Sequence, residues 1–586
     1  MLLRAIRRIP ARYRPLAGTL ALLLAAWVNM YGKIWCFEAK SPHRFTAKAM
    51  LTGTLRLRGM VTHAGHDEQI YNGAVYTNWG FGVPMLQMPF HLMAGAVRSL
   101  NGFFPDRAIY FIYLGVMMPI LWAAFDRLLA MKEPPGTSRG WRLAVSWAAA
   151  WMVLNVTLFP FMSTRFVMYE EAISYLMIFE LLALSAYIFG LREWRAVHVA
   201  AMALAAGVAL NVRSIGAVYL AVWGLLVLLE PRHRVKRTLL FGAVAAPFVA
   251  FFLYSNVVRS GSPLGLGYGN SNPAWSFETP ILRFGSICED TPAHVAQAAA
   301  RLFNGFFFYV TPHPSSAWME HCHFGLEERD KAGDPFFGPG ILVLLAGTLY
   351  GLFRRRERRL FLYVPHLAIA ALFVTFVLRG DGFAWRYVGD FWTLIILAAV
   401  LYVFALPAAA VMPYDLRLTK ILFWTGFAAM ARFLVPWEWT HRADILPPEE
   451  VATMAAEFRD ARWQTEGPLP SRLSCDKLPD PEVPYHNGLG WNPGCSVGTY
   501  TNVYLGVAPK SDDHYKLRFE TRGFADPALK VYVNGKVYTA HRSGDAYEAD
   551  VMIHYGALTS PSVMVTLLWT RDDDPPPGKL LAVELV

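Results

Sequence analysis

Apolar runs of the length a bilayer demands recur along most of this chain, separated by short charged segments. A spanning helix takes roughly 20 mostly apolar residues. Eleven stretches approach that pattern, at about 15–37, 107–130, 143–162, 171–190, 195–210, 214–230, 239–258, 338–353, 360–378, 390–411 and 419–436. A further apolar stretch, Val83 to Val97, is short and carries Pro84 and Pro89. After Pro436 the pattern changes. PPEEVATMAAEFRDARW (447–463) reads as a linker helix, and YKLRFETRGF (515–524), LKVYVNGKVYTA (529–540) and VMVTLLW (563–569) alternate apolar and polar. Period-two alternation with a turn at Asn534–Gly535 predicts β-hairpins, and seven or so such strands predict a small β-sandwich. The expected architecture is a mainly α polytopic membrane protein of about eleven transmembrane helices with a C-terminal extracytoplasmic β-sandwich. The boundaries follow as 1–440 for the membrane domain, 441–466 for the linker and 467–586 for the β domain.

Composition supports this division. Hydrophobic residues make up 55% of the 586 and charged residues 17%, against about 25% charged in soluble proteins. Disordered, collagen-like and disulfide-scaffold classes are excluded. The net charge of +10 falls in short clusters between apolar runs, with no continuous basic face, so it marks membrane topology and not nucleic-acid binding. Arg4, Arg7, Arg8, Arg12 and Arg14 precede the first apolar run, which is long and is followed by no clear A-x-A site. An uncleaved anchor with a cytoplasmic N-terminus is expected.

If 83–97 does not span, RRRERR at 354–359 and the other basic clusters fall on the cytoplasmic side, and the opposite short loops hold only Arg165, Arg213, Arg379 and Arg386. If it spans, every cluster after the first lies outside, against the positive-inside rule. The segment is therefore expected to lie along the membrane surface. Outer loops at 38–106 and 259–337 and an outer C-terminal domain follow, although Lys40, Arg44, Lys48, Arg56 and Arg58 in the first loop fit this scheme poorly. The five cysteines contain no CxxC, which excludes zinc ribbons and thioredoxin-type chemistry. Cys288 with Cys322, and Cys475 with Cys495, are expected to form local disulfides in an oxidising compartment.

Several charged residues fall on the outer face in this scheme. His66-Asp67-Glu68 lies in the first loop, followed by YNGAVYTNWGFGVPMLQMPFHL (71–92). Glu170 and Glu171 open the fourth span, where carboxylates also complement a helix dipole. Arg386, in RGDGFAWRYVGDF, and Arg213, in NVRS, are planar donors suited to phosphate, or to pairing with a nearby acid. Glu320, His321 and His323, with His313, offer a loose divalent-metal arrangement, for which ordinary hydrogen-bonding histidines are the commoner explanation.

Together these residues resemble the GT-C glycosyltransferases, the superfamily of protein O-mannosyltransferases and the lipid A aminoarabinose transferase. The shared pattern is a basic N-terminus, one span, a long acid-bearing outer loop with a Gly/Pro-bearing surface segment, many spans and an outer terminal domain. YNGAVYTNWGFGVPMLQMPF resembles the part after the acid in bacterial members, and WRYVGDFWTLIIL (385–397) resembles the arginine-bearing last outer loop. The likeness covers 1–440 as architecture and about fifty residues as motif. Where several relatives place an acid directly before the loop glycine, this chain has Asn72.

The resemblance implies transfer of a sugar, with inversion, from a polyprenyl-phosphate donor to an envelope glycan, lipid or protein acceptor, in a bacterial inner membrane with the C-terminal domain outside. It implies Asp67 or Glu68 as the catalytic base, and Glu170, Glu171, Tyr76, Asn78 and Arg386 as substrate-binding residues, to which Arg213 is added from its own place between two spans. No cofactor is required, and a divalent metal is compatible with the scheme. The β domain resembles a carbohydrate-binding module. Two other classes remain open on the residues alone: a membrane transporter, which would need ionisable groups such as Glu180 and His366 inside the spans, and a non-catalytic glycan-binding protein of an envelope assembly. The absence of an internal repeat weighs against an inverted-repeat transporter.

Overall fold

The computed structural model describes residues 14–30, 32–38, 41–57, 68–97, 102–132, 139–163, 168–191, 193–230, 233–265, 337–379, 389–407, 445–446, 450–463, 469–477, 491, 494–497, 500–524, 528–534, 536–568 and 578–586. Asp67, Arg386, the 419–436 stretch, the Cys288–Cys322 pair and the Glu320/His321/His323/His313 group lie outside these residues. The described chain is mostly helical, with a β-rich C-terminal domain.

Helices occupy the other ten apolar stretches. They are α1 (Arg14–Asn29), α4 (Asp106–Ala130), α5 (Arg139–Val156) with α6 (Leu158–Ser163), α7 (Met168–Gly190), α8 (Ala196–Val212), α9 (Gly216–Leu229), α10 (Arg234–Ser260), α11 (Phe337–Arg354), α12 (Val364–Arg379) and α13 (Gly389–Ala405). Among the described residues, three helical segments, Asp106–Ala130, Tyr169–Gly190 and Arg234–Ser260, are long and apolar enough to cross a membrane. Their burial differs sharply: the apolar window of α7 is 89% buried and that of α10 only 17%. The first is therefore the hub, packed against α4, α8 and α13, and the second is peripheral. A helix apolar on every face suits either position, because lipid and a protein core are alike to it. Close helix contact uses small residues: a Cβ on Gly207 of α8 would lie 2.7 Å from the Phe248 ring of α10.

Between α1 and α4 the chain makes β1 (Phe37–Glu38), α2 (Pro42–Leu51), a hairpin of β2 (Glu68–Tyr71) and β3 (Ala74–Thr77), and α3 (Gly82–Gly95). The hairpin turn is Asn72-Gly73, at φ 49° and 66°, the left-handed pair that a two-residue turn requires. Asp106, the first residue of α4, accepts the backbone N–H of Glu38 at 3.1 Å. The chain thus returns to the side of the bundle it left, and α3 does not cross.

Beyond β4 (Ile445–Leu446) and α14 (Glu450–Trp463), eight strands form one antiparallel ladder. They are β5 (Arg472–Ser474), β6 (Tyr500–Gly506), β7 (His514–Arg522), β8 (Ala528–Val533), β9 (Lys536–Ser543), β10 (Ala546–Met552), β11 (Ser562–Leu568) and β12 (Lys579–Leu585), in the order β5-β12-β7-β10-β9-β8-β11-β6. A sandwich keeps two separate hydrogen-bonded sheets; here the ladder is continuous, and its alternating inward side chains, from Leu505 to Phe519 and Val565, share one core. Cys475 and Cys495 are disulfide-bonded.

This domain sits on the first loop's side of the bundle. Phe37–Glu38 pairs with Ile445–Leu446, and Phe458 of α14 stacks on Phe45 of α2, ring centroids 4.8 Å apart. Ile70 and Val75 of the hairpin bury against Tyr504 of β6 and Met564 of β11.

Candidate active site between the first loop and the helical bundle

A buried acid–arginine cluster lies where the first loop meets the ends of α4 and α7. Each contributor has a local reason to be there. Glu38 and Asp106 stand where apolar runs end and begin, and Glu171 lies in the first turn of α7, where acids favour the helix dipole. Pro42 starts α2 one residue after Ser41, and α2 turns Arg44 inward.

Arg44 and Asp106 form an ion pair at 3.4 Å, both side chains fully buried. Arg107 pairs with Glu38 through its Nε. Both oxygens of Glu171 are held, Oε2 by the Ser41 hydroxyl at 3.2 Å and Oε1 by the Gln87 amide at 2.9 Å. Three acids face two arginines, so the cluster keeps an excess of acid. Burial raises the Glu38 carboxyl to about 7, partly opposed by the charge and hydrogen bond of Arg107. On α3, burial first, and then the charges of Lys48 and Arg44, lower the His91 imidazole to about 3.

Polar atoms of this network buried without a hydrogen-bond partner among the described residues include Glu38 Oε2, Asp106 Oδ1, Gln87 Oε1, Trp79 Nε1 and both terminal nitrogens of Arg44. Buried polar groups are nearly always paired in native proteins, so such a set needs an explanation. Acceptors and donors side by side around a carboxyl that titrates near neutrality suit a polyol bearing hydroxyl groups. Trp79 stands edge-on to Tyr169 at 4.8 Å, two residues before Glu171. Among the described residues no group of three or more His, Cys, Asp or Glu is arranged to hold a metal ion.

The sequence candidates take distinct places. Glu171 is in the cluster, and its neighbour Glu170 is also buried. Glu68 lies opposite Thr77 at the base of the hairpin, and Tyr76 pairs with Gln69 one step further up. Asn78 is in the turn below, its carbonyl accepting from Arg259 at 3.3 Å. Arg213, at the end of α8, pairs with Asp390 of α13 at 2.9 Å, and its side chain is 14% exposed. Inside the spans, Glu180 accepts from Trp223 at 2.6 Å and His366 bonds Thr348 at 3.0 Å. Each forms a local pair. Glu38, Arg44, Gln87 and Asp106 were not singled out from sequence. The available signal was position, since Glu38 and Asp106 bracket the first loop at the ends of two apolar runs.

No family model matches the chain, and no curated protein matches it. Among solved structures it is similar to the Archaeoglobus fulgidus oligosaccharyltransferase complexed with Zn and sulfate, at 12% identity and a TM-score of 0.35, covering 77% of this chain and 54% of that one. It is also similar to the arabinosyltransferase EmbB from Mycobacterium smegmatis, at 12% identity and a TM-score of 0.33, covering 99% of this chain and 66% of that one. The chain thus spans about half the length of the first and just under two thirds of the second. Likeness of this degree fixes neither fold nor activity.

Proposed function

We propose that this chain is a membrane glycosyltransferase that takes a sugar from a polyprenyl-phosphate donor and gives it to an extracytoplasmic glycan, lipid or protein acceptor. The observation that carries this reading is the buried cluster itself. Acid, arginine and unpaired polar atoms gather at one end of an apolar bundle, where a donor with a greasy tail and a polar head would place its reacting bond.

In the reaction the acceptor hydroxyl oxygen attacks the anomeric carbon. The bond from that carbon to the phosphate oxygen breaks, its electron pair leaves on the polyprenyl phosphate, and the configuration inverts. The hydroxyl proton passes to a carboxylate. Glu38 is the base in this scheme: one of its oxygens is unpaired, and its carboxyl titrates near 7, where a general base is most effective. Glu171, fixed through both oxygens, and Gln87 orient the sugar. Arg213, held by Asp390 and partly exposed, meets the phosphate, and Arg386 is a second cation for it. Asp67 and Glu68 remain the competing assignment for the base.

The test is release of polyprenyl phosphate by the purified, full-length protein in detergent, supplied with polyprenyl-phosphate pentoses and hexoses and with envelope extract as acceptor. Time-dependent release that needs both donor and extract is expected. Donor left unchanged across the panel would count against the reading.

A further inference from the structure

The first-loop hairpin is gripped at both ends by parts of the chain far apart in sequence. At its tip, Thr559, in the segment leading into β11, donates its N–H to the Asn72 carbonyl at 2.8 Å. Gly73 lies so close to Ser560 that a Cβ would come within 2.5 Å of its carbonyl oxygen and 2.9 Å of its nitrogen. Along its length, Ile70 and Val75 bury against Tyr504 and Met564 on the outer side of β6 and β11. At its base, Arg259 from the end of α10 donates to the carbonyls of Thr77, Asn78 and Trp79, at 3.4, 3.3 and 2.8 Å. Its other terminal nitrogen is anchored on Asn256 at 2.7 Å. One residue past Trp79, Gly80 presses on the Asn211 and Val212 carbonyls so closely that no side chain would fit. Trp79 itself meets Tyr169 beside the acid cluster.

We infer that the Glu68–Thr77 hairpin is a strut through which the C-terminal domain sets the position of Trp79 and of the turn beneath it, so that this domain is a working part of the acid site. The physical argument is one of rigidity. A two-stranded hairpin alone is marginal in water, and its stiffness must come from what holds it. Here the β domain holds the tip, the bundle holds the base, and between them Val75 accepts from the Leu57 N–H at 2.8 Å and Tyr71 lies against Gly261 just past α10, so a displacement at the tip is passed along a strapped hairpin towards Trp79. The outer face of β6 and β11 is thereby taken by the chain's own hairpin, and a glycan bound by this domain would use another face. Trp79 and Arg259 are positioning residues in this scheme. The inference stands on geometry and does not depend on which reaction the cluster performs.

Hydrogen exchange of the full-length protein in detergent tests it, because exchange reads position and not turnover. Gly73→Val breaks the fit at Ser560. Exchange is expected to rise about tenfold not only at 70–75 but also at 77–87, across the turn and the first turns of α3. The interiors of α7 and β7 should keep wild-type protection, which establishes that the fold is intact. If Gly73→Val does not yield folded protein, Met564→Ala loosens the same contact more gently and carries the same comparison. Faster exchange confined to 70–75 and 559–566, with 77–87 unchanged, would overturn the inference.

Discussion

Two titrating side chains give opposite pH signatures at the residue scale. Glu38 has its carboxyl raised to about 7 by burial. If it accepts the acceptor's proton, kcat/KM should rise with pH through about 7 and level off above it, and Glu38→Gln should abolish that limb. His91 goes the other way. Its imidazole is lowered from 6.5 to about 3, so the unfolded chain takes up a proton before the folded one does. Stability is therefore intact above about 6.5 and is lost as pH falls towards about 3. His91→Gln should flatten this acid-side fall in the thermal midpoint, and an unaltered slope would mean that another group governs it. Sequence exposed these residues unevenly. Glu171 stood out as an acid opening a span. Glu38 and Asp106 read as mere boundaries, because their burial depends on Arg107 and Arg44, partners 69 and 62 positions away in the chain. Gln87 and His91 sit in an apolar stretch whose inward positions cannot be told from its membrane-facing ones.

Among the elements, length and hydropathy located the helices, and packing decided their breaks. The 143–162 run divides at Thr157 into α5 and α6, a break no hydropathy pattern marks. The strands were legible from alternation, but their joining into one ladder was not, since pairing such as β12 with β7 is non-local. Glycine packing is testable here. Gly207→Val would drive a branched side chain into Phe248, and overpacking of this kind typically costs about 1–3 kcal/mol. The thermal midpoint in detergent should drop accordingly. Gly347→Ala, where an added Cβ meets nothing within 4 Å, should leave the midpoint unchanged or slightly raised. Equal losses in the two variants would contradict the packing assigned to α8 and α10.

At the scale of the whole molecule, the apolar bundle, the first loop and the β domain are joined through the contacts of that loop with β4, α14, β6 and β11. The Cys475–Cys495 bridge closes a loop with a separation of 20 residues, for which chain-entropy arguments give about 3 kcal/mol. Reduction should lower the β domain's unfolding midpoint, and by the strut argument it should loosen 77–87 as well. The central claim is that the cluster around Glu38 transfers a sugar from a polyprenyl-phosphate donor. Its most direct test is the rate of polyprenyl phosphate release at saturating donor, compared among wild type, Glu38→Gln, Glu68→Gln and Asp67→Asn. The account predicts a loss of about 10²–10⁴ for Glu38→Gln with donor binding retained, and near-normal rates for the other two. Normal turnover by Glu38→Gln, with the loss appearing in Asp67→Asn or Glu68→Gln, would contradict it.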